Sequence, residues 1–284
     1  MINIEKTTLN AFDCLYEESE LVVYGAPFDG TTSFRPGTRF GPAYIRNDFL
    51  GLETYSPYLD MDLREFKLHD SGNVYIPIGN TEKALDNIYD TAKKIVEDGK
   101  VPFLLGGEHL VTYPAFRAVY EKYPDIYLLH FDAHTDLRDF FFGEKLSHAT
   151  VIKRCWDLLG DGRIYQFGIR SGEKSEFAWS DSHTIMERYT ISTIKEVVEV
   201  LKNKNVYITI DLDVLDPAVV PGTGTPEPGG VGFKELMEAI HMLKDVNIVG
   251  MDIVELSPQY DTTGASTAVA CKLLRELTLT ALKK

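Results

Sequence analysis

Near the middle of the chain stands Ile126-Tyr127-Leu128-Leu129-His130-Phe131-Asp132-Ala133-His134-Thr135-Asp136, an apolar run that leads directly into polar residues. The apolar run predicts a buried parallel strand. Alternate side chains of an extended chain share a face, so Asp132, His134 and Asp136 converge if the chain stays near extended beyond the strand. Ligands of open α/β sheets bind at this carboxyl end of the strands. Carboxylate and imidazole groups suit Mn²⁺, Fe²⁺ or Zn²⁺ better than a soft metal, so the stretch predicts a metal site.

The same pattern occurs a second time, where the run 206–210 leads into Asp211-Leu212-Asp213-Val214-Leu215-Asp216-Pro217. A single cluster of Asp and His at a strand end is also typical of caps, turns and solvated loops. Two clusters at one edge of a sheet would bring several carboxylates together, which is costly unless a cation neutralises them. We therefore expect Asp211 and Asp213 to join the metal site, whereas Asp216, next to Pro217, more simply fixes a turn.

A histidine follows a third predicted strand. The apolar run 101–105 ends in Gly106-Gly107-Glu108-His109, in which two glycines allow a close approach of the backbone. A lone histidine after a strand is more often a packed or capping residue. Because His109 falls at the same sheet edge as the two Asp-rich clusters, we predict that it is a metal ligand.

Apolar runs and segments of helical periodicity alternate along the whole chain. The predicted strands are 21–25, 66–70, 101–105, 126–131, 164–170, 206–210 and 248–254. The predicted helices are 42–50, 80–99, one that starts at 112–114, 148–159, 194–201, 233–243 and 269–277. This alternation, with no linker and no repeat, predicts a single three-layer α/β/α domain over residues 1–284 with a mainly parallel sheet of about eight strands. No G-x-G-x-x-G follows a strand, which argues against a dinucleotide cofactor.

Three segments near the predicted site leave alternatives open. The Gly/Pro/Thr-rich loop 26–41 is a substrate-side element, an oligomer contact or a plain surface connection. The triplet Phe140-Phe141-Phe142 lines the site mouth or an oligomer interface, although burial within the same chain is the simpler expectation. His148 has the chemistry of a proton shuttle near pH 7, but it could also cap the helix that follows. The Gly/Pro-rich stretch 221–230 directly follows the second Asp cluster and is expected to wrap the pocket.

The composition restricts the class of partner. The chain has 284 residues, of which 44% are hydrophobic and 25% charged, as in ordinary globular proteins. Its net charge of -14, with no Lys/Arg cluster to offset it, argues against nucleic acid. That charge suits a cationic substrate, but it is equally typical of an acidic soluble protein. The three cysteines are far apart and are expected to be reduced thiols. No signal segment or membrane-length apolar run is present, so the expected location is the cytoplasm.

Taken together, the motifs resemble those of the ureohydrolases, the family of arginase, agmatinase, formimidoylglutamase and guanidinobutyrase. The resemblance covers nearly the whole chain and rests on Gly106-Gly107-Glu108-His109, the pentad 132–136, the Asp-rich stretch 211–217 and Glu255. Three further segments, 33–37, 146–150 and 222–230, are similar to bacterial agmatinases. Two positions depart from many relatives, which have Asp in place of Glu108 and Gly in place of Ala149. The resemblance implies the fold shared by arginases and deacetylases.

The resemblance also implies a centre of two Mn²⁺ ions. One ion would be held by His109, Asp132, Asp136 and Asp211, and the other by Asp132, His134, Asp211 and Asp213. Such a pair lowers the pKa of a shared water and gives a nucleophile at neutral pH. The remaining implied roles are those of Asp136, which orients this water, His148, which protonates the departing amine, Glu255, which clamps the guanidinium group, and Thr225, which adds a hydrogen bond.

Three functions are consistent with these residues. The favoured one is hydrolysis of agmatine to putrescine and urea by a homo-oligomer, since relatives form trimers or hexamers. The second is hydrolysis of another guanidino substrate by an arginase, a formimidoylglutamase or a guanidinobutyrase. An arginase would need polar groups for the α-carboxylate of its substrate, and the stretch 137–147 lacks the Ser/Asn-rich loop that arginases use there. A guanidinobutyrase would need Arg138 or another cation to face the pocket. The third is a catalytically silent binding protein, and the complete ligand set counts against it.

Overall fold

The computed structural model describes residues 9–283, and residues 1–8 and 284 lie outside the described part. The strands of the described part are, in chain order, β1 Leu21–Ala26, β2 Tyr55–Ser56, β3 Met61–Asp62, β4 Leu68–Asn73, β5 Val101–Gly106, β6 Tyr127–Phe131, β7 Ile164–Ile169, β8 Ile185–Arg188, β9 Asn205–Asp211 and β10 Asn247–Val254. Strands β2 and β3 form a short antiparallel pair, and the other eight belong to one sheet.

Helices alternate with these strands. They are α1 Gly41–Asp48, α2 Thr81–Glu97, α3 Thr112–Lys122, α4 Val151–Leu159, α5 Lys174–His183, α6 Ile194–Val200, α7 Phe233–Met242 and α8 Ala265–Leu282. The sequence accounts for some of their ends, because Pro42 lies in the first turn of α1 and the side chain of Asn80 caps α2 by accepting the Lys83 N–H at 2.9 Å. No helix within residues 9–283 is both long and apolar enough to cross a membrane.

All eight strands of the large sheet run parallel, in the order β4-β1-β5-β10-β9-β6-β7-β8. Along β1 the side chains of Leu21 and Val23 enter one hydrophobic core, and those of Val22 and Tyr24 enter another. The first core lies under α1, α6, α7 and α8, and the second under α2, α3 and α4. A sheet covered on both faces explains why its strands are continuous apolar runs rather than alternating ones.

The predicted α/β class, with an eight-stranded parallel sheet between helices, is confirmed. The weak strand expected at 66–70 lies two or three residues later, at Leu68–Asn73. Strand β8 and helix α5 were not predicted. Strand β8 is an edge strand with an exposed Ile185, and the buried residues of α5 are the polar Glu176 and Ser180, so neither has an apolar period. The single domain over residues 1–284 stays a prediction.

The sheet order places four strand ends side by side at its centre. Strands β5, β10, β9 and β6 are neighbours, and their carboxyl ends carry the predicted site residues. The loop after β1 reaches the same place, where the Glu108 N–H donates to the Phe28 carbonyl at 2.8 Å. A Cβ added to Gly107 would lie 2.0 Å from that carbonyl oxygen, so the contact requires glycine at this position.

Candidate metal centre

The ends of β5, β6 and β9 bring the predicted ligands around one histidine nitrogen. Nδ1 of His109 lies 3.0 Å from Oδ2 of Asp132, 3.3 Å from Oδ2 of Asp136 and 3.4 Å from Oδ2 of Asp211. All four side chains are nearly or fully buried. Four residues from three distant parts of the sequence thus present one nitrogen and three oxygen atoms to a single point.

A second group of donors lies beside the first. Nδ1 of His134 is 3.0 Å from Oδ2 of Asp213 and 3.5 Å from Oδ1 of Asp132. Asp132 therefore takes part in both groups, with one carboxylate oxygen toward each. The Asp211 side chain accepts the Asp213 N–H at 2.8 Å, which fixes the turn that follows β9. Two adjacent groups with a shared carboxylate form the geometry expected of a two-cation site.

The pentad converges in a different way from the one expected. Strand β6 ends at Phe131, and the backbone of Asp136 has φ 51°, in the left-handed region, so the chain does not stay extended. The Asp136 carbonyl accepts the N–H groups of Ile152 and Lys153 at 3.1 and 3.2 Å, at the start of α4. The turn directs Asp136 toward His109, while His134 faces the second group. The expectation of an extended pentad is therefore wrong, although the residues still meet.

The donor set fits divalent cations. Among the residues that the structure describes, Nδ1 of His109 is buried and makes no hydrogen bond, although carboxylate oxygens surround it. Burial, followed by the charges of Asp213 and Asp132, raises the pKa of Asp211 well above its usual range. A cation among these oxygens would remove that repulsion and accept the lone pair of the imidazole. Carboxylate oxygens and imidazole nitrogens are the donors that Mn²⁺, Fe²⁺ and Zn²⁺ take.

Buried residues hold His109 from behind. Nε2 of His109 lies 2.9 Å from Oγ1 of Thr209, and this hydroxyl donates to Oδ1 of Asp252 at 2.6 Å. The other oxygen of Asp252 accepts the hydroxyl of Tyr207 at 2.8 Å. With Nε2–H committed to Thr209, Nδ1 is left without a hydrogen and faces the carboxylates. Neither Thr209 nor Asp252 was predicted from the sequence. A polar residue inside an apolar strand was the available signal.

His130 orients Asp132 in the way that Thr209 orients His109. Its Nε2 lies 2.7 Å from Oδ2 of Asp132, and its Nδ1 accepts the side-chain amide of Gln166 at 3.1 Å. His130 is part of β6 and is fully buried, and its apolar neighbours in the sequence predict only a strand at this position. It orients a carboxylate that both groups of donors share.

A cavity of about 300 Å³ opens above the two groups. Glu255 and Thr225 line it, as predicted for the substrate side of the site. Oε1 of Glu255 accepts the His109 N–H at 2.8 Å, and the Glu255 backbone has φ 66°, a strained value for a residue with a side chain. Oγ1 of Thr225 donates to Oδ2 of Asp213 at 3.4 Å. Burial, followed by the charge of Glu108, raises the pKa of Glu255 well above its usual range.

His148 also lines the cavity. Ser147, not His148, caps the helical turn that precedes α4, so the imidazole is free for another role. Its Nε2 lies 3.3 Å from Oγ of Ser33, and its Nδ1 lies 3.5 Å from Oγ1 of Thr31. Burial lowers the pKa of His148. Both Ser33 and Thr31 belong to the loop 26–41, so this loop reaches the cavity, as the first of its three predicted alternatives requires.

The triplet of phenylalanines divides its side chains between the cavity and solvent. Phe141 lines the cavity and packs edge-on against His148, with ring centroids 5.4 Å apart. Phe140 and Phe142 are 61% and 86% exposed, so burial of the whole triplet is wrong. The reason is a tight turn, in which Phe141 and Glu144 exchange two backbone hydrogen bonds of 2.9 Å and direct Phe142 outward.

Asp216 lies apart from both groups of donors. Its Oδ1 accepts the Ala218 N–H at 2.9 Å, and its Oδ2 accepts the N–H groups of Gly229 and Gly230 at 2.8 and 3.1 Å. The expectation that it fixes a turn is confirmed. These bonds also hold the Gly/Pro-rich stretch against the end of β9, which accounts for the wrapping predicted there.

Comparison with known proteins identifies the family of the chain. The chain matches the Arginase family over residues 19–280. It is 49% identical to the agmatinase of Bacillus anthracis over 269 residues. The matched region covers 93% of this chain and 92% of that protein. A crystal structure from Clostridium difficile has 59% identity and a TM-score of 0.93, covering 94% of this chain and 98% of its own. The agmatine ureohydrolase of Thermoplasma volcanium has 35% identity and a TM-score of 0.90, with 99% and 96% coverage. The chain belongs to the arginase family.

Proposed function

We propose that this chain is an agmatinase, a binuclear manganese hydrolase that converts agmatine and water to putrescine and urea. The observation that carries the proposal is the convergence of the predicted ligands: four of them line one cavity with Glu255 and His148, and Asp132 and Asp213 contact the two ligand histidines directly beneath it. The 49% identity to an agmatinase over 93% of the chain supports the choice of substrate. A silent binding protein would have no chemical need for this complete set of residues.

The proposed ligands divide into two sets that share two carboxylates. His109, Asp132, Asp136 and Asp211 would hold one Mn²⁺, and Asp132, His134, Asp211 and Asp213 would hold the other. The position of Asp132 between His109 and His134 supports its bridging role. When bound, the two ions would lower the pKa of a water between them and supply a nucleophile at neutral pH.

Glu255 would orient the guanidinium group of the substrate. A carboxylate matches the planar fork of a guanidinium group, and the hydrogen bond from the His109 N–H fixes the orientation of this carboxylate. A cationic substrate in the cavity would favour the charged form of Glu255, against the effect of burial. Thr225, beside Asp213, would add a hydrogen bond to the same group.

Asp136 and His148 would handle the protons. Asp136 would accept a hydrogen bond from the attacking water and hold it in line with the guanidinium carbon. Burial lowers the pKa of His148, and its Nε2 can take up the proton that the attacking water loses as it bonds to the guanidinium carbon. It would then deliver this proton to the nitrogen of the departing amine. The amine can then leave as a neutral molecule, which is a far better leaving group than an amide anion.

The charge at the cavity mouth favours an amine at the far end of the substrate. Arg138 lines the cavity, but its NH1 lies 3.1 Å from Oε1 of Glu173 and its Nε lies 3.5 Å from Oε2 of Glu176. The guanidinium group also packs on the ring of Phe141, 4.7 Å from the centroid. Two carboxylates therefore flank one cation. These three groups together attract the ammonium end of agmatine and repel the carboxylate of 4-guanidinobutyrate.

The test is urea release by the purified, Mn²⁺-loaded protein with agmatine, arginine and 4-guanidinobutyrate side by side. We expect a strong preference for agmatine. The Asp211→Ala variant, purified in the same way, should release no urea and bind less Mn²⁺, which excludes a contaminating host enzyme. Urea from another guanidine would replace the substrate, and full activity of Asp211→Ala would contradict the binuclear site.

Two wider features are part of the proposal. We expect residues 1–284 to fold as a single domain and the chain to form a trimer or hexamer. Light scattering of the purified protein measures the second directly, and a monomer at working concentrations would contradict it.

A further inference from the structure

The side chain of Glu108 has no role in the site as described so far, although it directly precedes a metal ligand. It is fully buried, and both of its oxygens accept hydrogen bonds from Thr31. Oε2 accepts the Thr31 N–H at 2.9 Å, and Oε1 accepts the Thr31 hydroxyl in a short bond. One donor on each oxygen is the pattern of an ionised carboxylate.

Both polar hydrogens of Thr31, the backbone N–H and the hydroxyl O–H, point to the carboxylate of Glu108. The hydroxyl hydrogen of Thr31 is thus committed to Glu108.

The Thr31 hydroxyl lies between Glu108 and His148. Its oxygen accepts the backbone N–H of His148 at 3.1 Å and lies 3.5 Å from Nδ1 of the imidazole. Since its hydrogen points to Glu108, this oxygen can only accept from His148. A hydrogen on Nδ1 suits both this oxygen and that of Ser147, which lies 3.3 Å from Nδ1, whereas a bare Nδ1 would face the lone pair of Thr31. The geometry thus favours the Nδ1–H form, in which Nε2 presents its lone pair to the cavity beside Ser33.

We propose that Thr31 and Glu108 are positioning residues that fix the tautomer of His148 and stabilise its protonated form. The inference rests on the proposed function, in which Nε2 takes a proton from the attacking water. As the bond between the guanidinium carbon and the amine nitrogen breaks, that proton passes to the nitrogen and the ring returns to its Nδ1–H tautomer. While the ring is charged, the Thr31 oxygen, polarised by Glu108, faces Nδ1–H and favours the cation.

The dipeptide Glu108-His109 thus connects to three parts of the proposed site. The His109 imidazole belongs to the metal site, its backbone N–H holds Glu255, and Glu108 reaches His148 through Thr31. A shorter Asp at position 108 could not span the same distance to Thr31 without a shift of the backbone. The Glu at this position, a departure from many relatives, matches a threonine in the loop after β1.

The first test compares Thr31→Val with Thr31→Ser in the Mn²⁺-loaded protein. Valine has nearly the shape of threonine without the hydroxyl, and serine keeps the hydroxyl. We expect Thr31→Val to lower kcat for agmatine by about 10- to 100-fold with KM changed by less than about threefold. Thr31→Ser should recover most of the rate, and both variants should bind Mn²⁺ as the unmodified chain does.

Ser147 provides a matched control, because its hydroxyl lies 3.3 Å from the same Nδ1 but does not donate to a carboxylate. Ser147→Ala should lower kcat much less than Thr31→Val. Equal losses in the two variants, or an unchanged rate in Thr31→Val, would overturn the assignment to Thr31.

A second measurement does not depend on the substrate. ¹⁵N NMR of histidine-labelled protein, loaded with diamagnetic Zn²⁺, reports which ring nitrogen of His148 carries the hydrogen, and His148→Asn identifies the signals. We expect the Nδ1–H form in the unmodified chain and a loss of this preference in Thr31→Val. An Nε2–H form in the unmodified chain refutes the inference even if agmatine is hydrolysed. An Nδ1–H form without any urea release refutes the proposed function instead.

Discussion

Thr209→Val removes one hydroxyl group from the buried connection behind the metal site. In the native chain, Thr209 accepts from Nε2 of His109 and donates to Asp252, and all three side chains are essentially inaccessible to solvent. Valine fills nearly the same volume, so packing is preserved. The change leaves the N–H of His109 and one oxygen of Asp252 without partners in a buried place, while Tyr207 still donates to the other oxygen.

The magnitude follows from these two losses. Removing the partner that orients a metal-binding imidazole weakens metal affinity by about 10- to 100-fold, which corresponds to ~1.4 to 2.8 kcal/mol of binding free energy. Leaving buried polar groups unpaired costs about 1 to 3 kcal/mol of stability even before any metal is added. Because a ligand stabilises the native state according to its affinity, each tenfold loss also removes about 1.4 kcal/mol of the stabilisation that saturating Mn²⁺ provides.

The assay is Mn²⁺ titration by calorimetry, together with thermal unfolding in the presence of a chelator and in excess Mn²⁺. We expect weaker Mn²⁺ binding in Thr209→Val and a smaller rise of Tm on adding Mn²⁺. Thr209→Ser, which keeps the hydroxyl, should bind Mn²⁺ nearly as tightly as the unmodified chain. If Thr209→Val bound Mn²⁺ with unchanged affinity, the idea that this hydroxyl directs His109 toward the metal would be refuted.

Three further changes test other parts of the chain. Glu255→Gln should raise KM for agmatine about 10-fold or more in steady-state assays, because a neutral amide cannot pair with the guanidinium group, and unaltered kinetics would remove the clamp. Glu173→Gln removes one of the two carboxylates beside Arg138 and should shift the ratio of kcat/KM toward 4-guanidinobutyrate by about two- to fivefold, as expected for a partly exposed ion pair; a constant ratio would mean that the cavity mouth does not select charge. Burial raises the pKa of Glu187, but hydrogen bonds from Thr190, Thr193 and Ser192 outweigh this effect and lower the pKa from 4.5 to about 2. Glu187→Gln should therefore lower the free energy of unfolding by about 1 kcal/mol at neutral pH, after allowance for solvent screening. This difference should disappear as the pH falls from 4.5 to 2, which chemical denaturation at several pH values measures. A loss of stability that did not change with pH would contradict this role of the Glu187 charge.

The convergence of the six predicted ligands could be expected from the sequence because the three clusters that contain them each follow an apolar run directly. Parallel strands end at one edge of the sheet, so residues placed just after β5, β6 and β9 must meet there whatever the details of the loops. The same reasoning does not reach residues inside a strand. His130, Thr209 and Asp252 act from within β6, β9 and β10, where an apolar neighbourhood hides a polar side chain.

The contribution of the first loop also depends on tertiary structure. Thr31 and Ser33 meet His148 across more than a hundred residues of sequence, and no period or spacing relates them. The close packing of Gly107 on Phe28 determines where this loop runs. The course of the pentad was likewise beyond the sequence, since the left-handed backbone at Asp136 arises from its contacts with α4.

Asp136 and Glu255 share an uncommon backbone conformation, with φ values of 51° and 66°. Side-chain-bearing residues adopt this conformation at a cost of order 1 kcal/mol each, which the surrounding hydrogen bonds must offset. A glycine at either position would relax the backbone but remove the carboxylate that the proposed reaction uses. In that reaction, maximal stability and catalytic competence call for different residues at the same place in the chain.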